Sequence, residues 1–284
     1  MLTVLLTTFA LLVCAALFLV IMARRDRAQD ASIIARLLAR QPAAPPVFNE
    51  TMLDSLPDAA QRFFRFSIAA GTPLTTVADV QMQGSFDLGS KDAPNPQPMQ
   101  ARQVIAPPLG LLWSVKMGET LSITGSDGLC DGKSWSRFHL LGLFPLARAG
   151  GNADHLLSAF GRLVGDALLF TPAAFLPAAE AGWDSLTWAA TGTNSAEVTV
   201  TLGALTQSVE IKVDTSGRLL SVSFLRWSDE NPEKTFRRQP FGGDITAHGS
   251  FAGFTLPTKL TAGNHYGTGQ YHIFFDVEIG YTNG

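Results

Sequence analysis

The chain has 284 residues, of which 46% are hydrophobic and 16% are charged, and its formal net charge is −3. We expect no nucleic-acid partner, because charges of both signs are mixed along the chain and no net positive charge attracts phosphate backbones. A fold stapled by disulfides is also excluded, because one of the two cysteines, Cys14, lies in an apolar N-terminal run, far along the chain from Cys130.

Residues 2–22 form this apolar run, which contains only three polar residues, all threonine. A helix of this length spans roughly 31 Å, close to the hydrocarbon core of about 30 Å in a bilayer. We therefore predict that residues 1–23 are a transmembrane anchor and that the membrane is a partner. A cleaved signal peptide is the alternative, because Ala23 could end a cleavage site. It fits less well, because no basic residue precedes Arg24 and the run exceeds the usual signal-peptide core of about 7 to 15 residues.

The orientation of the anchor follows from the arginines beside it. Five arginines lie within residues 24–40, and neither Lys nor Arg precedes the apolar run. The positive-inside rule then predicts a single-pass protein of the bacterial cytoplasmic membrane with its large domain in the cytoplasm. A periplasmic or extracellular domain is the alternative, because long C-terminal domains can be translocated regardless of flanking charge.

We expect residues 24–47 to form a basic helical stalk and a Pro-rich linker. Residues 26–40 are rich in Ala, Leu, Ile and Arg, which favour helix, and three prolines within residues 41–47 end it as a semi-rigid spacer. Residues 48–284 then form a single mainly β domain. Near its start, Pro57 to Ala70 carries a helix that we expect to pack on a sheet, because it contains three phenylalanines.

Alternation of apolar and polar residues predicts strands in most of this domain. Val198, Val200 and Leu202 alternate with polar residues, and two further segments before Trp227 repeat the pattern after short turns. Consecutive strands joined by short turns make an antiparallel meander. One face of such a sheet is buried, and the other meets solvent or a cavity.

The middle of the chain has a different pattern. Residues 140–146 are almost wholly apolar, and residues 152–170 show helical spacing of Leu and Phe, which predicts a helical insert. Arg162 and Asp166 stand four residues apart on its polar side and can pair. The surplus apolar residues are core, a lid over a cavity, or a patch on the membrane surface. As candidates for contacting a ligand we single out five large side chains, namely Leu141, Phe144, Phe160, Trp135 and Trp227.

The C-terminal residues 256–281 predict a hairpin with its turn at Thr268-Gly269. In that register His265 faces His272, and directly opposed Cβ atoms lie about 5 Å apart, close enough to share a metal. Two histidines do not make a complete site, and no spacing typical of a metal motif accompanies them. We therefore expect a solvated histidine pair, no metal and no cofactor. The same register places Phe274 on a polar face and Ile273 on the apolar one.

The sequence carries no recognisable catalytic motif, so we assign no catalytic residue. Asp127 and Asp131 lie in a Gly-rich segment, which we interpret as a turn. A basic cluster of Arg226, Arg237 and Arg238 could hold an acidic headgroup, but Asp229, Glu230 and Glu233 lie between its members in the chain. We expect those charges to pair in solvent.

Four apolar, Pro-centred blocks resemble an uncharacterised family of bacterial proteins with one N-terminal span: Leu56-Pro57 to Gly71, Leu140 to Ala147, Phe170 to Pro177, and Phe254 to Thr258. The resemblance implies no established activity. Where the family carries a Glu and Trp pair in the central helix, this chain has Asp166 and Leu169, which argues against catalysis there. By architecture the chain is similar to outer-membrane lipoprotein carriers. That similarity implies a mainly β (α+β) fold, in which a large, curved, half-barrel-like antiparallel sheet carries a few packed helices behind the transmembrane helix.

Three functions are consistent with these features. The first is a non-enzymatic, membrane-anchored module that binds a lipid or another hydrophobic ligand. The second is a hydrolase or transferase acting on a membrane-associated substrate through Asp127, His139 or the histidine pair. The third is a scaffold that docks a membrane partner through residues 140–146. We favour the first, because no catalytic constellation accompanies the anchor.

Overall fold

In the computed structural model, which describes residues 1–282, thirteen antiparallel strands join in one open sheet. Apolar and polar residues alternate along these strands. The helices are α1 (Leu2–Leu38), α2 (Asp58–Ser67) and α3 (Ala153–Phe170), with 3-10 turns at Glu50–Leu53, Pro172–Phe175 and Pro177–Ala179. The strands are β1 (Ala78–Asp87), β2 (Pro96–Ala106), β3 (Gly110–Met117), β4 (Ile123–Cys130), β5 (Lys133–Leu140), β6 (Phe144–Gly150), β7 (Ser185–Gly192), β8 (Ser195–Leu202), β9 (Leu205–Val213), β10 (Leu219–Ser228), β11 (Arg237–Phe251), β12 (Phe254–Asn264) and β13 (His272–Tyr281).

The sheet has the order β6-β5-β4-β3-β2-β1-β13-β12-β11-β10-β9-β8-β7. Except for β6 and β7, strands that follow each other in the chain pair as hairpins, and β1 joins β13 at the centre. Helix α3 and the two 3-10 turns after it connect the edge strands β6 and β7. Because α3 contacts β4 and β5 from one half and β9 and β10 from the other, the sheet curves around it. The predicted mainly β fold, with a curved antiparallel meander and a few packed helices, is confirmed.

Helices α2 and α3 pack on the inner face of this curve. Helix α3 begins at Asn152, whose side chain accepts a hydrogen bond from the backbone N–H of His155 at 2.8 Å. Its buried side includes Leu163 and Leu168, and Phe64 of α2 packs edge-on against Trp188 of β7 with ring centroids 5.6 Å apart. The main hydrophobic core therefore lies between the inner face and these two helices.

Helix α1 runs unbroken from the apolar N-terminal residues onto the domain. It is the helix within residues 1–282 that is long and apolar enough to cross a membrane. Its C-terminal part packs on the outer face of the sheet, where Leu37 joins Val104 and Leu112 in a second, smaller core. Ile105 and Leu111, their neighbours in the chain, belong to the main core, so α1 and α3 lie on opposite faces.

Ion pairs fix α1 to the outer face. The Asp26 carboxylate lies 2.6 Å from Arg148 Nη1, 3.2 Å from Arg137 Nη1 and 3.4 Å from His139 Nε2. Arg137 also binds Asp30 one turn further along α1. Burial opposes the charge of Asp26, but the hydrogen bond from Arg148 and the positive charges of both arginines outweigh it and lower the pKa of this carboxyl.

The predicted register of the C-terminal hairpin is wrong near its turn. A bulge at Ala262/Gly263 shifts the pairing by one residue, so that His272 faces Asn264, and His265 lies in the turn with a positive φ of 59°. The predicted assignment of faces holds for Val277 and Ile279, which are buried, and fails only between the bulge and the turn. Phe274 lies on the inner face beside Phe275, and Ile273 is exposed.

Candidate functional site

A cavity of about 300 Å³ lies between α3 and the inner face of the sheet. The apolar part of its wall comes from both halves of the sheet and from α3, and it includes Met82, Phe86, Trp113, Phe138, Leu169, Val222, Phe224, Phe241, Leu260, Phe274 and Phe275. A volume of this size is at the lower end of the range of small-molecule sites. The cavity is therefore the candidate functional site of the domain.

The aromatic part of the wall is continuous. Neighbouring ring centroids are 6.1 Å apart for Trp113 and Phe86, 5.2 Å for Phe86 and Phe274, 6.1 Å for Phe274 and Phe241, and 5.3 Å for Phe241 and Phe224. Tilted ring pairs at these distances are favourable. The bulge in β13 contributes to this arrangement, because it turns Phe274 inward beside its neighbour.

Helix α3 brings a charged cluster to one side of this cavity. The Arg162 guanidinium lies 2.6 Å from Asp127 on β4 and 3.2 Å from Asp166 on α3 itself, and it stacks over Trp113 at 5.1 Å. Gln103 donates a hydrogen bond to Asp166 at 2.9 Å. Burial opposes the charge of Arg162, but the two carboxylates outweigh it and raise the pKa of the guanidinium. The cluster is a satisfied ion pair network.

A chain of hydrogen bonds continues from Asp127 toward the start of α3. Ser136 donates to the Asp127 carboxylate at 2.6 Å and lies 3.0 Å from His155 Nε2. Because the Asp127 carboxylate can only accept, the Ser136 hydroxyl donates to it, and the Ser136 oxygen is left to accept from His155 Nε2. His155 Nδ1 lies 2.8 Å from the Ser134 hydroxyl. The imidazole therefore does not activate Ser136 as a nucleophile, and the chain holds Asp127 in place.

Arg226 on β10 provides a second guanidinium to the cavity. It lies over the Phe241 ring at 5.1 Å, and its Nε atom is buried with no hydrogen-bond partner among residues 1–282. Burial and then repulsion from Arg162 lower the pKa of Arg226, although Asp127 and Asp166 act in the opposite direction. Unlike Arg162, Arg226 faces the cavity with donor capacity unused.

Comparison with known proteins identifies the family. The model of a family of unknown function, DUF6544, matches residues 46–276. The chain belongs to the DUF6544 family. The uncharacterised family predicted from the apolar blocks is thereby confirmed. A search of curated proteins finds no match.

Several solved structures are similar in fold to this DUF6544 chain. A putative outer membrane lipoprotein-sorting protein domain from Vibrio parahaemolyticus is 10% identical, with a TM-score of 0.36, and the match covers 73% of this chain and 83% of that one. A LolA superfamily protein from Nitrosomonas europaea is 12% identical, with a TM-score of 0.36 and coverage of 83% and 92%. A DUF1329 family protein from Desulfovibrio piger is 9% identical, with a TM-score of 0.37 and coverage of 80% and 89%. Proteins related to lipoprotein carriers are therefore among the similar structures, as predicted. Because all three TM-scores are below 0.5, these similarities do not identify a ligand for this chain.

The five side chains singled out as ligand contacts lie away from the cavity wall in this DUF6544 structure. Leu141 and Phe144 are exposed at the tip of the β5–β6 hairpin, and Trp135 lies on the outer face under α1. Phe160 is buried in the core, and Trp227 donates a hydrogen bond to the first turn of α3.

The titratable residues named for catalysis or metal binding do not converge. Asp127 lines the cavity, whereas His139 lies on the outer face beside α1. His265 contacts a backbone carbonyl, that of Glu230, at 3.1 Å, and His272 contacts Asp87 at 3.2 Å. No group of three His, Cys, Asp or Glu residues that could hold a metal ion occurs within residues 1–282.

Several residues of the site carry roles that differ from the sequence-based interpretation. Asp127 belongs to strand β4, so its assignment to a turn is wrong. Arg162 and Asp166 do pair, but they face the cavity. Of the basic cluster, Arg237 pairs with Glu233 near solvent, whereas Arg226 faces inward. One signal could have identified it, because alternation from Val222 and Phe224 places residue 226 on the apolar face.

Proposed function

We propose that this DUF6544 protein is a non-enzymatic, membrane-anchored module that binds a lipid or another hydrophobic ligand in the cavity under α3. The observation that carries the proposal is the cavity itself, about 300 Å³ with a continuous aromatic wall inside an otherwise packed core. The apolar walls of such a cavity offer water few hydrogen-bond partners, so an apolar occupant is favoured over water. The satisfied Ser136–His155 pair supports binding over hydrolysis.

The continuity of α1 supports anchoring. The helix passes without a break from its exposed apolar residues into a segment that is docked on the domain through Asp26 and Leu37. The five arginines within residues 24–40 favour a cytoplasmic domain by the positive-inside rule. C-terminal fusions test this side directly: we expect green fluorescent protein to fluoresce and alkaline phosphatase to be inactive. The reverse result places the domain outside the cytoplasm.

Filling the cavity tests the binding proposal. Ala262 lines the cavity, so Ala262→Phe places a ring inside it, whereas Ala189→Phe places the same ring on the exposed edge strand β7. We expect lipid extracted from the purified full chain, measured by mass spectrometry, to be lost from the Ala262 variant and retained by the Ala189 variant. Circular dichroism checks that both are folded. Equal lipid content in the two folded variants, or none in the parent protein, refutes the proposal.

A further inference from the structure

The Arg226 side chain is the feature of the cavity that an apolar ligand alone leaves unexplained. Burying a guanidinium costs free energy unless its donors find acceptors. Here the ring of Phe241 at 5.1 Å supports the charge, but a ring face accepts no directed hydrogen bond from the buried Nε atom.

The nearby carboxylates do not meet this need. Asp166 accepts hydrogen bonds from Arg162 and Gln103, and Asp127 accepts from Arg162 and Ser136. Strand β4 holds the Asp127 carboxylate toward its donors, and helix α3 holds the Asp166 carboxylate toward its own. The oxygens of both carboxylates are therefore engaged by other donors. The two carboxylates match the charges of the two arginines, and what Arg226 lacks is an acceptor for its buried Nε–H group.

We propose that the ligand is an amphiphile with an anionic oxygen headgroup, which Arg226 binds, and a single apolar chain, which the aromatic wall holds. The proposal rests on the ligand-binding function proposed above. The planar guanidinium presents donors in a fork that fits carboxylate and phosphate oxygens. A cavity of about 300 Å³ favours one chain over two.

Three probes that share a ten-carbon chain separate the headgroup from the chain: decanoate, decyl phosphate and uncharged methyl decanoate. Each is titrated against the full chain in lipid nanodiscs through tryptophan fluorescence, because Trp113 lines the cavity, with empty nanodiscs as the blank. We expect at least one anionic probe to bind tenfold or more tightly than the ester. The stronger of the two anions identifies the headgroup as carboxylate or phosphate.

Arg226→Met is expected to weaken anion binding at least tenfold and to leave ester binding unchanged. Arg237→Met, on the exposed neighbouring strand, serves as the matched control and is expected to bind like the parent. Equal binding of the ester and both anions to the parent protein overturns the headgroup proposal while the ligand-binding function stands. Binding of no probe, together with no extractable lipid, overturns both. The comparison of probes on the parent protein needs no variant to fold.

A different observation, at the tip of the β5–β6 hairpin, supports a second inference. Leu141, Phe144 and Leu146 are 52%, 49% and 53% exposed there, and Arg27 of α1 donates a hydrogen bond to the Gly142 carbonyl at 2.9 Å. The hairpin tip is therefore held beside α1.

The position along α1 sets the depth of this tip. Arg27 follows Met22, the last residue of the apolar run, by five residues, which is about 7.5 Å of helix. The polar layer of a bilayer is about 5 to 7 Å thick on each side, so Arg27 lies at its outer boundary. The last turn of the apolar run is also partly covered, because Leu19 and Val20 are half-buried. On the basis of the anchoring proposed above, we infer that the hairpin tip inserts into the headgroup region of the membrane that holds α1.

An environment-sensitive fluorophore tests this inference. In a Cys14→Ser background, the label is attached at Phe144→Cys or at Leu225→Cys, an exposed leucine on β10 that serves as the control. In nanodiscs we expect a blue-shifted spectrum at position 144 and quenching by lipids with a shallow nitroxide, with neither effect at position 225. Identical, water-like spectra at both positions overturn the inference, and a blue shift without lipid quenching assigns the tip to a protein contact instead.

Discussion

Removal of one charge from Asp26 should loosen α1 from the domain. The Asp26 side chain is 12% exposed and accepts hydrogen bonds from Arg148 at 2.6 and 3.1 Å and from Arg137 at 3.2 Å. Asp26→Asn keeps the shape of the side chain but presents an amide, with donors of its own, to two guanidinium groups. The variant therefore tests the charge rather than the packing of this contact.

The magnitude follows from the exposure of the two arginines. Removing one partner of a buried ion pair costs about 3 to 5 kcal/mol. Arg148 is 43% exposed, so water can replace its lost partner and the loss of this pair costs at most about 1 kcal/mol. Arg137 is 7% exposed, but it keeps Asp30 as a partner. We therefore expect Asp26→Asn to lower the free energy of unfolding by about 2 kcal/mol, roughly a thirtyfold change in the folded to unfolded ratio.

The assay is urea unfolding of the full chain in detergent micelles, followed by tryptophan fluorescence and by amide hydrogen exchange of residues 24–38. Trp135 reports on the contact, because the Arg137 guanidinium lies 5.4 Å from its ring centre. Asp92→Asn, in an exposed turn, is the control and should change stability by less than about 0.5 kcal/mol. If both variants unfold at the same urea concentration and exchange in α1 is unchanged, the apolar contacts of Leu37 hold the helix and the ion pairs do not.

Three further predictions concern pH, a helix cap and a turn. Burial lowers the pKa of His139, so as the pH falls through about 6.5 the unfolded chain gains a proton before the folded chain does. Stability should therefore drop between about pH 7.5 and 5.5. Urea unfolding of His139→Gln should show a shallower drop, and equal slopes for the variant and the parent would contradict the assignment. Asn152→Ala removes the cap of α3 and should cost about 1 kcal/mol, measured by thermal unfolding, whereas Asn152→Ser should cost less. Gly217→Ala requires a left-handed φ of 89° and places a Cβ 2.0 Å from the carbonyl oxygen of Arg62, so we expect a loss of more than about 2 kcal/mol; a Tm unchanged from the parent would show that the turn can relax.

Strands with one buried and one exposed face could be predicted from the sequence, because their period of two is local. The segment from Val198 to Leu202 lies within β8, and its three valine or leucine positions alternate with threonines as the pleat requires. The register of β12 and β13 could not be predicted in the same way. It depends on a bulge at Ala262/Gly263, which arises from pairing across the sheet and leaves no local pattern.

The cavity could not be predicted for a related reason. Helical spacing shows that Arg162 and Asp166 share one face of α3, but not whether that face meets solvent or the sheet. Only the crossing of α3 from one edge strand to the other turns it toward Asp127 and Gln103. Likewise, the sequence does not show whether Arg226, at the end of an apolar alternation, lies at an exposed rim or inside the domain. Its position inside depends on β11 and α3, which cover it in the folded structure.

The central pairing of β1 with β13 has a consequence for biosynthesis. Asp87 and His272, which meet across this pair, are 185 residues apart in the chain. At about 5 to 20 residues per second, β13 leaves the ribosome roughly 10 to 40 seconds after β1. During this interval the first six strands have an open edge on β1, where Val80 and Met82 carry the apolar face that β13 later helps to cover. Until β13 arrives, the nascent chain therefore exposes this edge to strand pairing with other molecules.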